Sequence, residues 1–99
     1  MRTDTAIQLC CLLRARPGME RELTDYEDRV TALVPEHGGT LLSRAVGEGA
    51  ENTPHEVHLY RFPDQASLDA YMADPRRLAL AEERDRVIAE TIVFPVETR

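Results

Sequence analysis

Ala6-Ile7-Gln8-Leu9-Cys10-Cys11-Leu12-Leu13-Arg14, followed by the turn pair Pro17-Gly18, is the stretch on which the fold turns. A short apolar run bounded by polar residues and closed by Pro-Gly predicts a β-strand. Alternate residues of a strand point to opposite faces. Ile7, Leu9, Cys11 and Leu13 share one parity; Ala6, Cys10 and Leu12 share the other. Both parities are apolar, whereas a strand wetted on one side alternates apolar with polar residues. Both faces of this strand therefore need a cover.

Working outward, the period changes at Met19. Leu23, Tyr26, Val30, Leu33, Val34 and His37 recur at helical spacing, with Glu20, Glu22, Asp25, Asp28 and Arg29 on the other face. This predicts an amphipathic helix carried to His37, distorted late by Pro35 and stopped by Gly38-Gly39. Thr40 to Val46 and Glu56 to Phe62 read as strands, joined by the loop from Gly47 to Asn52 and by Pro54. Asp64 can cap a helix that runs to Met72. Asp74-Pro75 opens a further helix through Leu78, Leu80, Val87 and Ile88. Thr91 to Val96 is the last strand.

The order is β-α-β-β-α-β in one α+β domain over residues 1–99, the ferredoxin-like plan with a four-stranded antiparallel sheet. Pro95 suits the last strand, an edge in that topology. The last strand again has two apolar parities, Ile92, Phe94 and Val96 against Val93. Two helical arms can shelter one side of such a sheet. A second copy of the chain is the expected cover for the other, so a homodimer is predicted.

The 99 residues carry a formal charge of −6, and all twelve basic residues are arginine. An acidic chain without a basic run is a poor match for phosphate backbones, so no nucleic-acid partner is expected. Met1-Arg2-Thr3-Asp4-Thr5 contains an acidic residue, and the apolar run after it is too short for a signal-peptide core or a membrane span. A cytoplasmic location with no membrane partner is expected. The adjacent Cys10 and Cys11 read as reduced, buried thiols.

His55, Val57, Leu59 and Arg61 share one parity of the third strand; Glu56, His58, Tyr60 and Phe62 share the other. Periodicity does not say which set faces the helices. In a regular strand His55 and His58 point apart, and three scattered histidines with two adjacent cysteines make no zinc spacing, so no metal is expected. His58 with Tyr60 is the candidate catalytic pair: an imidazole exchanges protons near neutral pH, and a phenol polarises a carbonyl or enol. The same two residues could equally be satisfied by hydrogen bonds at a dimer interface. Tyr26 and Tyr71, on the apolar stripes of their helices, could line a ligand pocket or simply pack. Arg61 could hold a substrate carboxylate or pair with an acid such as Glu56. His37 suits the end of its helix as a cap. The charges from Arg76 to Arg86 read as a solvated helix face.

Arg16-Pro17-Gly18-Met19-Glu20 resembles the strand-to-helix turn of the dimeric α+β barrel superfamily. His37-Gly38-Gly39-Thr40-Leu41-Leu42-Ser43-Arg44 is similar to the Gly-Gly-led second strand of its DUF1330-like branch. Arg61-Phe62-Pro63-Asp64, followed by Ala66, Leu68, Ala70, Tyr71 and Asp74-Pro75, resembles that branch and also the antibiotic-biosynthesis monooxygenases. The likeness covers nearly the whole chain. It implies a dimer whose sheets face each other and a pocket between helices and sheet in each subunit. Haem-degrading members carry an asparagine on the first strand and a tryptophan and a histidine in the second helical region. Here the nearest positions hold Cys11 or Cys10, Tyr71 and Leu80, and the chain has no tryptophan, so haem is not expected. Cys11 joins Tyr26, Tyr71 and Arg61 as a candidate ligand contact.

The expected function is that of a cofactor-independent isomerase or cyclase acting on an aromatic or polyketide-like metabolite, with His58 and Tyr60 moving the proton. A cofactor-free monooxygenase of the same fold and a non-catalytic small-ligand-binding accessory protein are the two alternatives. No cofactor is expected in any of them.

Overall fold

The computed structural model describes residues 5–99; Met1 to Asp4, on which the targeting expectation partly rests, lie outside the described residues. The strands are β1 (Ile7–Ala15), β2 (Thr40–Val46), β3 (Glu56–Phe62) and β4 (Ile88–Pro95), and the helices are α1 (Glu20–Thr31), α2 (Gln65–Met72), α3 (Pro75–Leu78) and α4 (Ala81–Val87). The sheet is antiparallel with strand order β2-β3-β1-β4. This is the expected ferredoxin-like α+β plan, and Pro95 sits on an edge strand, where a missing N–H costs no internal ladder bond.

α1 forms because Leu23, Tyr26 and Val30 make one apolar stripe, with Glu20 and Glu22 in the first turn and Arg29 in the last, as the helix dipole favours. It is shorter than the sequence suggested. It ends at Thr31, and Pro35–His37 form a separate 3-10 turn. Had the helix continued, the Pro35 ring would have met the carbonyl of Thr31 four residues back. Gly38, at φ 76°, turns the chain out of the helical region. A Cβ on Gly39 would lie 2.6 Å from the Phe62 ring and 2.8 Å from Val34, so only glycine lets β2 start this close to the core.

Asp64 accepts a hydrogen bond from the Ser67 N–H, and Asp74 accepts one from the Arg76 N–H, each at 2.8 Å. These caps start α2 and α3 where the sequence placed them. The final helix, expected to include Ile88, stops at Val87. Ile88 is extended (φ −103°, ψ 123°) and begins β4 opposite Ala15, three residues earlier than Thr91. Ile88 shares the parity of Ile92 and Phe94, but the register shift between Arg14 and Ala15 turns it to the core; the helical period also sends it there, so the pattern alone did not mark the end of the helix.

The register fixes the faces. Cys11 lies opposite His58 and Val93, and Leu9 opposite Tyr60. This set faces the helices and, with Leu13, Leu23, Tyr26, Val30, Val34, Phe62, Tyr71, Val87 and Ile88, makes the core. On the other face Cys10 lies between Leu59 and Phe94, and Leu12 between Val57 and Ile92. Among the described residues no element is layered over that set: Ile92 is 45% and Phe94 39% exposed. The subunit spans only 16 Å along its shortest axis, room for one sheet and one layer of helices. Among the described residues no helix is long and apolar enough to cross a membrane.

Candidate active site

A cavity of about 340 Å³ lies between the helices and the sheet, within the range of small-molecule sites. Its wall is mainly apolar: Leu9, Leu13, Val30, Phe62, Leu68, Ile88 and Val93 contribute, with the rings of Tyr26, Tyr60 and Tyr71. The polar groups on it are few and come from different elements. Glu27 comes from α1, Cys11 from β1, Tyr60 from β3, Thr91 from β4, and Arg77 and Arg84 from α3 and α4.

Behind Tyr60 runs a buried polar chain. Glu56, His58 and Tyr60 are successive inward residues of β3, so strand alternation stacks them on one face. His58 Nδ1 is 2.7 Å from the Tyr60 hydroxyl, and His58 Nε2 is 2.7 Å from Glu56 Oε1. Arg44 on β2 lies opposite His58 in register and donates to both Glu56 oxygens, at 2.8 and 3.1 Å. Thr24 donates to Glu56 Oε2 at 2.7 Å, and Arg44 also pairs with Asp28 at 2.6 Å. Burial alone would raise the Glu56 carboxyl, but the hydrogen bonds from His58, Arg44 and Thr24 outweigh it and hold it down at about 2. Glu56 is thus an ionised acceptor, and His58 Nε2 must donate to it. That assigns the tautomer: Nδ1 of the neutral ring accepts from Tyr60. The Tyr60 phenol is held well above its ordinary pKa, first by burial and then by Glu27, and so keeps its proton to donate.

Glu27 meets the same ring from the helical side, with Oε1 3.7 Å from His58 Nδ1. It is 5% exposed. Burial raises its carboxyl to about 7; His58 and Arg44 pull it down, while the charge of Glu56 adds to the rise. A carboxyl that changes charge near neutrality on an apolar cavity wall is suited to acid–base work.

The predicted residues divide as follows. Tyr26, Tyr60, Tyr71 and Cys11 line the cavity. His58 is fully buried behind the wall and reaches the cavity through Tyr60 and Glu27. Arg61 is not part of the site: it is exposed, with the parity of Val57 and Leu59, on the far face of the sheet. Nor does it pair with Glu56, which Arg44 has taken. His55 precedes the regular strand. Its Nε2 lies 3.1 Å from the Thr24 hydroxyl on α1, so it sits on the helical side and not on the opposite face expected for a strand residue. His37 does more than end a helix, pairing with Asp74 at 2.7 Å. The Cys11 thiol is pushed up to about 12 by burial, then by the charges of Glu27 and Cys10, and is no nucleophile at neutral pH. The charges from Arg76 to Arg86 are not one solvated face, because Arg77 and Arg84 turn onto the cavity wall.

Sequence reading missed Glu27, Arg44, Arg77 and Arg84. Glu27 carried a signal: it lies four residues after Leu23 and three before Val30, inside the apolar stripe of α1.

Together these features define a small α+β domain with a ferredoxin-like sheet and an internal small-molecule cavity. No protein-family description matches the chain, and no curated protein matches it in sequence. Solved structures do. A protein of unknown function from Rhodopseudomonas palustris superposes with a TM-score of 0.77 at 14% identity, over 97% of this chain and 84% of that one. A dimeric protein of unknown function with a ferredoxin-like fold from Bacteroides fragilis gives 0.68 at 12% identity, over 95% and 97%. SnoaB, a cofactor-independent oxygenase from Streptomyces nogalater, gives 0.70 at 14% identity, over 96% of each. At these identities the likeness is one of fold alone, the ferredoxin-like α+β fold.

Proposed function

We propose that the protein catalyses cofactor-independent proton transfer on a small aromatic or polyketide-like metabolite, as an isomerase or cyclase. The observation that carries this is the Tyr60–His58–Glu56 chain, which opens on an apolar cavity beside a carboxyl poised near neutrality. The Tyr60 oxygen takes a proton from an acidic carbon of the ligand as its own proton passes to His58 Nδ1. The imidazolium so formed lies between Tyr60 and the ionised Glu56, with Glu27 3.7 Å away. Protonated Glu27 then returns a proton at another position of the resulting enolate, and the proton held on His58 passes from Nδ1 to the Glu27 carboxylate, 3.7 Å away, which restores both groups. The bond order of the ligand shifts with no change in redox state. His58 is a positioning residue and proton store; Tyr60 and Glu27 are the groups in reach of ligand.

The test is protein-dependent exchange of deuterium from D2O into enolisable aromatic ketones, followed by NMR. Native mass spectrometry of the purified protein would identify a co-purified ligand. Exchange by the wild type that Tyr60→Phe lacks is the expected result; absence of exchange across the panel would leave a binding protein.

Monooxygenation is the second reading, favoured by the shared fold with the oxygenase SnoaB. The same base would make the carbanion that oxygen attacks. Oxygen consumption without added flavin or metal separates the two.

We also infer that the working unit is a homodimer closed over the Cys10, Leu12, Val57, Leu59, Ile92 and Phe94 face. The free thiols of Cys10 and Cys11 support a reducing, cytoplasmic setting.

A further inference from the structure

The cavity wall holds two guanidiniums that the proton-transfer scheme leaves unused. Three other arginines are committed to carboxylates: Arg44 to Glu56 and Asp28, Arg76 to Asp74 and Glu36, Arg29 to Glu83. Arg77 is not. Its Nε is buried without a hydrogen-bond partner. Its other contacts include a long 3.4 Å bond to the Met72 carbonyl and the side chain of Tyr71, whose ring lies 5.2 Å from the guanidinium carbon and whose phenol it also meets. Arg84 reaches Thr91, another lining residue, at 3.3 Å, and its nearest acid is the largely exposed Asp85 at 4.0 Å. The positive charge of Arg77 is felt at Cys11, Tyr26, Glu27, Tyr60 and Tyr71, where it opposes the rise that burial causes.

A buried donor of a guanidinium without an acceptor is costly, and a planar fork with free donors fits a carboxylate. The same cavity is lined by the flat rings of Tyr26, Tyr60, Phe62 and Tyr71. Glu27, the one carboxylate among the lining residues, is neutral over much of the range below pH 7 and does not then repel an anion.

We propose that the ligand is a small aromatic carboxylate, its ring against Tyr26, Phe62 and Leu68 and its carboxylate on Arg77, with Arg84 beside it. This takes the same cavity as the proton-transfer reading and narrows its substrate class. It does not require turnover.

The test is isothermal titration at pH 6 of the intact protein with 2-naphthoate and its neutral isostere 2-naphthamide. The acid should bind about tenfold tighter or more, as a charge-assisted pair implies. Arg77→Met should remove that preference while the amide stays within about twofold. Arg77→Lys, which keeps the charge and loses the fork, should keep part of it, and it serves if Arg77→Met fails to fold by circular dichroism. Equal affinity for acid and amide, a preference untouched by either variant, or no binding of the acid overturns the proposal. Arg77-dependent binding of naphthoate by a protein that exchanges no deuterium would uphold this inference and remove the catalytic one.

Discussion

His58 Nε2 lies 2.7 Å from Glu56 Oε1, and neither side chain exposes any surface. A carboxylate there survives only because three donors from three elements converge on it: His58 beside it on β3, Arg44 across the sheet and Thr24 from α1. Local sequence spacing supplies the first donor, and the fold supplies the other two. The pair is therefore both the anchor of the candidate site and a liability to stability, since a buried charge that loses a partner is expensive.

Removing the Glu56 carboxylate should accordingly destabilise the protein. Glu56→Gln leaves Arg44 and His58 facing a neutral amide, with an expected loss of about 3–5 kcal/mol. The pH signature is specific. The folded-state pKa, about 2, lies below the ordinary glutamate value of 4.5, so the Glu56 contribution is present above pH 4.5 and is lost as pH falls towards 2. Urea unfolding between pH 2 and 6 should show this acid-side slope in the wild type. A slope of the same size in Glu56→Gln would mean that other carboxyls set it.

Glu27 has the opposite sign. Its folded pKa of about 7 lies above the ordinary glutamate value of 4.5, so its contribution is full below pH 4.5 and disappears as pH rises through 7. The wild type should lose about 3 kcal/mol of stability across that window, and Glu27→Gln should be flat there. Deuterium exchange that uses Glu27 as the acid should fall as pH rises through about 7. An exchange rate that climbs through the same pH would make Glu27 the base and reverse the roles assigned to it and Tyr60.

Phe94 and Ile92, across from Cys10 and Leu12, sit on the uncovered sheet face. A patch of this kind marks an interface. Light scattering coupled to gel filtration should give a dimer at micromolar concentration. Phe94→Glu, which buries a charge in the proposed interface, should give a monomer with the ligand cavity still formed on the other side of the sheet. A monomeric wild type would leave the apolar parity of β1 and β4 without an explanation.

How far the sequence carries can be judged from particular residues. The two-faced parity of β1, the Gly38-Gly39 stop and the Asp64 and Asp74 caps are local patterns, and each was legible. The end of α1 was not, because its apolar period runs unbroken past Thr31 and only the clash of Pro35 ends it. Tyr26, Tyr60, Tyr71 and Cys11 were read as site candidates from their types and parities, and they line one cavity. Arg61 was misplaced because β3 is apolar on both sides, and the register with β1 and β2 decides which side meets the helices. Arg44 and Arg77 were invisible for a related reason. Their partners are Glu56 and the ring of Tyr71, and such pairings exist only once the chain has folded.

Tyr60→Phe is the sharpest probe of the mechanism. It removes one oxygen, the atom 2.7 Å from His58 Nδ1, and leaves the ring that stacks on Phe62. Without that oxygen the imidazole keeps only its longer link to the cavity through Glu27, so exchange should fall about 100-fold or more, the usual weight of a positioned acid or base. The fold should survive, because His58 keeps its bond to Glu56 and loses only a donor to Nδ1, at a cost of about 1–3 kcal/mol. Binding of an aromatic carboxylate through Arg77 should be nearly unchanged, since that residue lies on α3. A variant that binds as before and no longer exchanges would place the proton path through Tyr60. One that exchanges at the wild-type rate would leave Glu27 to act alone and reduce His58 to a packing residue.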